Sequence, residues 1–343
     1  MDLSIPYYED KTRISNSNIG WFLEKGPAYL HKMLTEDVPE EKSQALERGT
    51  MIHEYLLQPE EFQKDYVVWD KGRPSSAQQE KFCQALASSI EIEPNRAILS
   101  AYKDAYSTKG KTEDVMLSEG LKIASTLKDY IDFLKSNDGR IMISPWDAKI
   151  LEKIKQNIQS HKLAWSIIQP GKEDGCIYSK LPYPDGSPGG IIGRWFHEFH
   201  INWEWNNNVK CKSLLDGLTL DFENMKATIY DLKTTQKLWH FEDSIEMYDY
   251  LRQLCFYKRA VRWYLKNECD QNPDEWSFEY YIIGIDTTGI YDIRVFKIDD
   301  HDVQTRFDTI VKALDQIAWH QANNKWEHSR AYYEGDGSET LNL

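Results

Sequence analysis

Asp231 and Lys233 stand two residues apart in ATIYDLKTTQ (227–236), a stretch that otherwise reads as a buried strand. Ala227, Thr228, Ile229 and Tyr230 lead in, and the last three are the β-branched and aromatic types that strands favour. Residues i and i+2 of a strand share a face, so the carboxylate and the ammonium are expected to point the same way. A buried ion pair is costly and weak evidence of a stability gain, so a chemical reason is needed. Asp216, in LLDGLTL on the preceding expected strand, brings a second carboxylate near a strand end. Two hard oxygen ligands, with waters and a substrate phosphate, suit Mg²⁺. The backbone carbonyl of Leu232, between Asp231 and Lys233, offers a further oxygen. Lys233 could then orient or deprotonate a water, or steady phosphate charge. Asp-x-Lys alone occurs often by chance. Joined to Asp216 on an adjoining strand it becomes more specific.

A helix expected over about Ile245 to Leu265 adds to the pattern. In YDYLRQLCFYKRAVRWYL, Gln253 and Tyr257 are four apart and share one face, which a helix beside the sheet would turn toward the carboxylates. Arg252, Lys258, Arg259 and Arg262 occupy other parts of its surface and are candidate DNA-binding residues. An ordinary amphipathic helix, with a core tyrosine and solvated arginines, accounts for the same spacing. His53, in RGTMIHEYLLQ, is a lone histidine on an apolar helix face, which by itself is more often structural than a ligand. His197 and His200, in HEFH, have metal-ligand spacing only on a helix; on the strand expected here they fall on opposite faces. Glu198, between them, is an acidic residue on the first strand of the series.

These residues need a sheet and helices to hold them. Residues 12–34 open with Ser and Asn types that can cap a helix, and a second helix is expected over about 40–57. Residues 74–165 read as largely helical, ending in a helix that starts at Ser144-Pro145 with apolar Ile150, Leu151, Ile154 and Ile158 at helical spacing. LPYPDGSPGG (181–190) is a turn-rich break. Strands are then expected over 191–205, 209–220 and 226–234, followed by the long helix, a hairpin (277–286 and 290–299) and a helix over about 301–323. The expected fold class is α+β, or mixed α/β, with a helical cap in front. The polar end, GDGSETLNL, is expected to fray.

The chain has 343 residues, 41% hydrophobic and 13% aromatic, enough for a sizeable core and against wholesale disorder. There is no apolar run long enough to span a membrane and no secretory pattern at MDLSIPYYEDK, so a cytoplasmic protein with no membrane partner is expected. The five cysteines (Cys83, Cys176, Cys211, Cys255, Cys269) are scattered without a CxxC pair, which favours free thiols over disulfides or a zinc ribbon. A net charge of −14 argues against non-specific coating of nucleic acid. From Lys226 to Lys266, however, eight basic residues face five acidic ones, so a polyanion could be accepted there.

Taken in order, RGTMIHEYLL, HEFHINW, CKSLLDGL, YDLKTT and YDYLRQLCFY resemble the PD-(D/E)xK nuclease superfamily. More closely, they are similar to its RecE-like (exonuclease VIII-like) phage and prophage branch. ISNSNIGWFLEKGPAYLHKML resembles the first helix of that nuclease domain, and the resemblance covers about residues 10–60 and 145–330. It implies a central mixed sheet flanked by helices. It also implies that His53, Asp216 and Asp231, with the Leu232 carbonyl, bind divalent metal (Mg²⁺ or Mn²⁺). Lys233 is implied as the catalytic lysine, and Gln253 and Tyr257 as a glutamine–tyrosine motif positioning substrate or water. Glu198 matches a further acidic position more loosely. The domain division implied is 1–67 (helices with the His motif), 68–142 (a helical insertion), 143–334 (nuclease core) and 335–343 (tail). The turn between Asp216 and Asp231 is longer than the pattern expects, and no motif residue is lost. Nothing resembling the C-terminal cysteine cluster of the iron–sulfur relatives follows Cys269, so no such cluster is expected.

The activity implied is metal-assisted hydrolysis of linear double-stranded DNA, 5′→3′, in phage-type recombination. The resemblance also implies a homo-oligomeric ring and a single-strand annealing partner. A structure- or site-specific endonuclease, a single-strand nuclease, and a non-catalytic DNA-binding module remain as alternatives.

Overall fold

The computed structural model describes residues 3–38, 43–91, 93–136, 138–179, 190–206 and 208–338. The chain separates into two compact units, one of residues 1–59 and 151–343, the other of residues 60–150. In chain order, α1 (Asn16–Thr35) and α2 (Gln44–Leu57) precede α3 (Pro59–Asp65), β1 (Tyr66–Val68), α4 (Ala77–Ala87), α5 (Pro94–Ala105), α6 (Glu113–Thr126), α7 (Lys128–Ser136) and β2 (Ile141–Ile143). Next come α8 (Pro145–Ser160), α9 (Lys162–Ile168), β3 (Cys176–Tyr178), β4 (Ile191–Trp205), β5 (Val209–Asp221) and β6 (Lys226–Thr235). A 3₁₀ turn at Leu238–His240, α10 (Phe241–Met247), α11 (Tyr250–Asn267), β7 (Ser277–Asp286), β8 (Ile293–Ile298), α12 (Asp300–Gln304), α13 (Phe307–Asn323) and α14 (Arg330–Glu334) complete it.

The unit of residues 60–150 packs α4 to α7 around Phe82, Ile98, Tyr102, Met116 and Ile131, and pairs β1 with β2 in parallel. The two three-residue strands carry too few residues to show a period.

The larger unit is built on a six-stranded sheet in the order β3-β4-β5-β6-β7-β8. All neighbours are antiparallel except β6 and β7, whose parallel pairing is made through the α10–α11 crossover. It is a mixed sheet flanked by helices, as the fold class expected. α1 starts at Ser15, whose hydroxyl accepts from the Asn18 N–H in a capping box. α11 buries Leu254, Cys255, Phe256, Tyr257, Ala260, Val261 and Leu265 against the sheet, where Leu218, Ile229, Tyr280 and Ile282 meet it. Each large side chain so buried contributes about 1.5–3 kcal/mol, and α11 is thereby fixed beside β6.

Differences from the sequence expectation have local causes. The expected helix over 245–265 is two helices, because Asp249 takes a left-handed conformation (φ 47°, ψ 54°) between α10 and α11. β3 is too short to show a period. The turn-rich break expected at 181–190 lies outside the described residues except for Gly190, as do the last five residues of the expected tail. Cys83, Cys176, Cys211 and Cys255 are buried free thiols, and Cys269 is a half-buried one. Among the described residues no helix is long and apolar enough to cross a membrane.

Candidate active site

The site forms where β6 leaves β5. Their pairing runs from Asp221–Lys226 to Gly217–Tyr230 and stops, while β6 stays paired with β7 as far as Thr235–Asp286. Residues 231–235 therefore present a free edge toward β5. Asp216 caps that edge, its Oδ2 accepting the Leu232 N–H at 2.6 Å in place of a ladder bond. The N–H and C=O of one strand residue point to the same side, so the Leu232 carbonyl faces the same gap.

α2 brings His53 to this gap. Gly49 lies one turn earlier on the same helix face, and a Cβ there would come 3.2 Å from the Thr234 hydroxyl, so its absence lets α2 sit close on β6. The His53 Nδ1 stands 3.6 Å from Asp216 Oδ2. Burial holds the His53 pKa below the ordinary imidazole value against the pull of Asp216. Neutral imidazole is the form that ligates metal.

Glu198 enters through an interruption in β4. The flanking pairs His197–Gly217 and Phe199–Leu215 set it level with Asp216, and it takes a left-handed φ of 46°. Alternation shifts phase there. Ile201 and Trp203 reach the core from odd positions and Phe196 packs on it from an even one; on β5 the change falls between Leu215 and Leu218. His53, Glu198 and Asp216 thus bring one ligand atom each within 4.8 Å of one another. Gly217 is required beside them, since a Cβ there would overlap the Tyr230 ring at 1.9 Å.

Asp231 is buried, with Lys233 Nζ 2.5 Å from its Oδ2. Gln253 on α11 donates from Nε2 to Asp231 Oδ1 (3.1 Å) and to the Tyr257 hydroxyl (2.8 Å). Burial, reinforced by the Asp216 charge, raises the Asp231 pKa to about 7, with Lys233 pulling it down. Burial raises Glu198 to about 8, helped by Asp216, Asp231 and Glu54. Burial disfavours the Lys233 ammonium, but Asp231 and Asp216 outweigh it and hold the lysine charged. The set is therefore short of positive charge. Nitrogen from one histidine and oxygen from carboxylates and a carbonyl fit a hard divalent cation such as Mg²⁺ or Mn²⁺.

Residues 197–331 match a family model described as a PDDEXK-like domain of unknown function. This segment is a PDDEXK-like domain. The match places it in the PD-(D/E)xK nuclease superfamily, whose members generally use divalent metals, and supports a nuclease. The segment contains Glu198, Asp216, Asp231, Lys233, Gln253 and Tyr257; His53 lies outside it. A solved structure, "Putative exonuclease" from Eubacterium rectale, is similar at 14% identity and a TM-score of 0.49, over 100% of this chain and 96% of that one. Among curated proteins none matches.

The fold brings His53 on α2 together with Glu198, Asp216, Leu232, Asp231, Lys233, Gln253 and Tyr257 of the matched segment. It does not bring in the other two histidines. The His197 ring nitrogens meet the Leu57 and Ile168 carbonyls, and His200 bonds Asn202. The four basic residues of α11 expected to face DNA each have a partner within the fold. Arg252 is buried and bonded to Asp249 and Asn16, and Lys258 is buried against Asp300. Arg259 stacks on Phe307 and bonds Gln304, and Arg262 is tied to Pro273 and Asp274. Arg252 and Lys258 are thereby buried, whereas Arg259 and Arg262 stay partly exposed. Tyr250, whose ring lies 4.9 Å from Lys233 Nζ, was not anticipated, although it stands three residues before Gln253 on the same helix.

Proposed function

We propose that the chain is a metal-dependent deoxyribonuclease hydrolysing phosphodiester bonds at the His53–Glu198–Asp216–Asp231–Lys233 site. The observation that carries this reading is the convergence of His53, Glu198 and Asp216 within 4.8 Å, beside a lysine–aspartate pair on a free strand edge. His53, Asp216, Asp231 and the Leu232 carbonyl, with Glu198, would hold the divalent cation. When bound, that cation supplies Lewis-acid polarisation of the scissile phosphate and stabilises charge on the leaving oxygen. Asp216 keeps its place through the Leu232 N–H, and Gln253 fixes the orientation of Asp231. Lys233, charged and partly open to solvent, holds the attacking water or the phosphate oxygen on the face it shares with Asp231.

Within this reading the substrate is linear double-stranded DNA digested 5′→3′ in phage-type recombination, with a homo-oligomeric ring and a single-strand annealing partner. The ordered motif set resembling RecE-like nucleases supports these finer points. The domain reading is a nuclease core of residues 143–334 with the His-bearing helices of 1–67, a 68–142 insertion and a 335–343 tail. Electrophoresis of linear and covalently closed DNA with Mg²⁺ tests the reading. Loss of the linear form alone supports an end-dependent exonuclease, cutting of the circle an endonuclease, and binding without cutting a non-catalytic module.

A further inference from the structure

The Lys233 ammonium lies over the Tyr250 ring at 4.9 Å, and Tyr250 is stacked on Tyr248 with centroids 5.7 Å apart and planes 25° from parallel. Tyr250 is also stacked on Phe241, which is fully buried and stacked on Phe296. The row therefore runs from the core, past the site lysine, to Tyr248, which is 60% exposed. Met247 beside it is 71% exposed. Large apolar side chains left in water at the edge of a charged site invite a specific occupant.

The turn that holds Tyr248 out is fastened from both sides. Asp249 has a left-handed φ of 47°, a conformation uncommon for residues other than glycine, asparagine and aspartate. Its carboxylate is gripped by Arg252 (Nε–Oδ2 3.3 Å) and Arg306 (Nε–Oδ1 2.8 Å), and buried Arg252 is in turn anchored on Asn16. A surface aromatic on a fixed turn loses little freedom when a flat partner stacks on it.

We infer that Tyr248 is a base-stacking residue that receives an unpaired nucleobase of the substrate next to the phosphate served by Lys233. The inference rests on the nuclease reading and narrows it to a substrate feature. A single exposed ring offers one π-face, and only a base whose own face is uncovered can use it. Bases inside a duplex are covered by neighbours, whereas a single-stranded extension or frayed end is not. Stacking does not depend on base identity, so this contact would select strandedness and not sequence.

Two measurements on the full-length protein test this. In the first, single-stranded oligonucleotides carrying one 2-aminopurine, placed at each position in turn, are titrated with metal-free protein and with Ca²⁺ present. The wild type should quench the probe at one position, and Tyr248→Ala should remove that quenching while Tyr248→Trp keeps it. In the second, Mg²⁺-dependent cleavage is followed on linear duplexes with a single-stranded extension, along which a single abasic site is scanned. Tyr248→Ala should raise KM about five- to a hundredfold on the intact strand, the range expected from one lost base stack. On the strand abasic at the quenched position, variant and wild type should converge. Equal losses on intact and abasic strands at every position, or quenching indifferent to Tyr248→Ala, would overturn the inference. Failure of the wild type to cut any DNA would instead count against the nuclease reading, with the fluorescence titration still deciding the role of Tyr248.

Discussion

Lys233 Nζ lies 2.5 Å from Asp231 Oδ2, on one face of β6 where that strand has parted from β5. Asp231 is buried, yet its environment raises its pKa to about 7, so the fold does not favour the ionised form that the pair needs. On the proposed reading, such a pair serves chemistry and not stability. A structural pair would cost about 3–5 kcal/mol to break. Asp231→Asn, which removes a charge from a cluster of carboxylates, is expected to melt at or above the wild type in EDTA at pH 8. Its cleavage rate should fall at least about 100-fold. Differential scanning calorimetry beside a cleavage assay checks both halves.

The metal set is tested by linkage. A cation that binds only the folded state stabilises it by about 2.7 kcal/mol at a hundred times its Kd. Wild-type protein should therefore melt higher with Mg²⁺ or Mn²⁺. Asp216→Ala and His53→Ala should lose most of that increment, because both contribute ligand atoms to the three-residue cluster. A full increment in both variants would place the cation elsewhere.

Glu198 and Asp231 give the metal-free protein a pH dependence of definite sign. Both carboxyls have folded-state pKa values above their unfolded ones, so the folded chain binds more protons and stability falls as pH rises. The loss begins near the unfolded carboxylate range, about pH 4. It runs through about 7 for Asp231 and about 8 for Glu198. Urea denaturation in EDTA from pH 5 to 9 should show this decline, shallower in Glu198→Gln. Metal affinity should move the other way, rising to about pH 8 as the carboxyls give up their protons.

Gln253 donates to a carboxylate and to Tyr257, so its removal should cost a charge-assisted hydrogen bond of about 1.5–3 kcal/mol. Gln253→Ala is expected to lower kcat by roughly ten- to a hundredfold, with metal titration by calorimetry little changed. A large loss of metal affinity would make Gln253 part of the cation site instead.

Gly217→Ala should destabilise the chain by about 1–3 kcal/mol through overpacking, because the new methyl meets the Tyr230 ring at 1.9 Å. Pairing it with Tyr230→Ala should recover part of the loss in chemical denaturation.

Much of this was legible in the sequence because it rests on short periods. The i, i+2 spacing of Asp231 and Lys233 and the i, i+4 spacing of Gln253 and Tyr257 survive folding as contacts. The three long strands show through their β-branched and aromatic runs. Glu198 was harder to place, because its left-handed φ shifts the strand alternation that sequence reasoning relies on. The partners of the α11 cations did not show in the sequence, because Asn16, Asp300 and Phe307 come from distant parts of the chain and Asp274 from the loop after the helix. The break at Asp249 carries no glycine or proline signal; two arginine contacts hold it.

The most direct test of the account is Mg²⁺-dependent digestion of end-labelled linear duplex beside a covalently closed circle, by wild type and by Asp231→Ala. The account predicts loss of the linear DNA alone, abolished by EDTA and by the substitution. Cleavage that persists in Asp231→Ala, or no cleavage by folded, DNA-bound wild type, would contradict it.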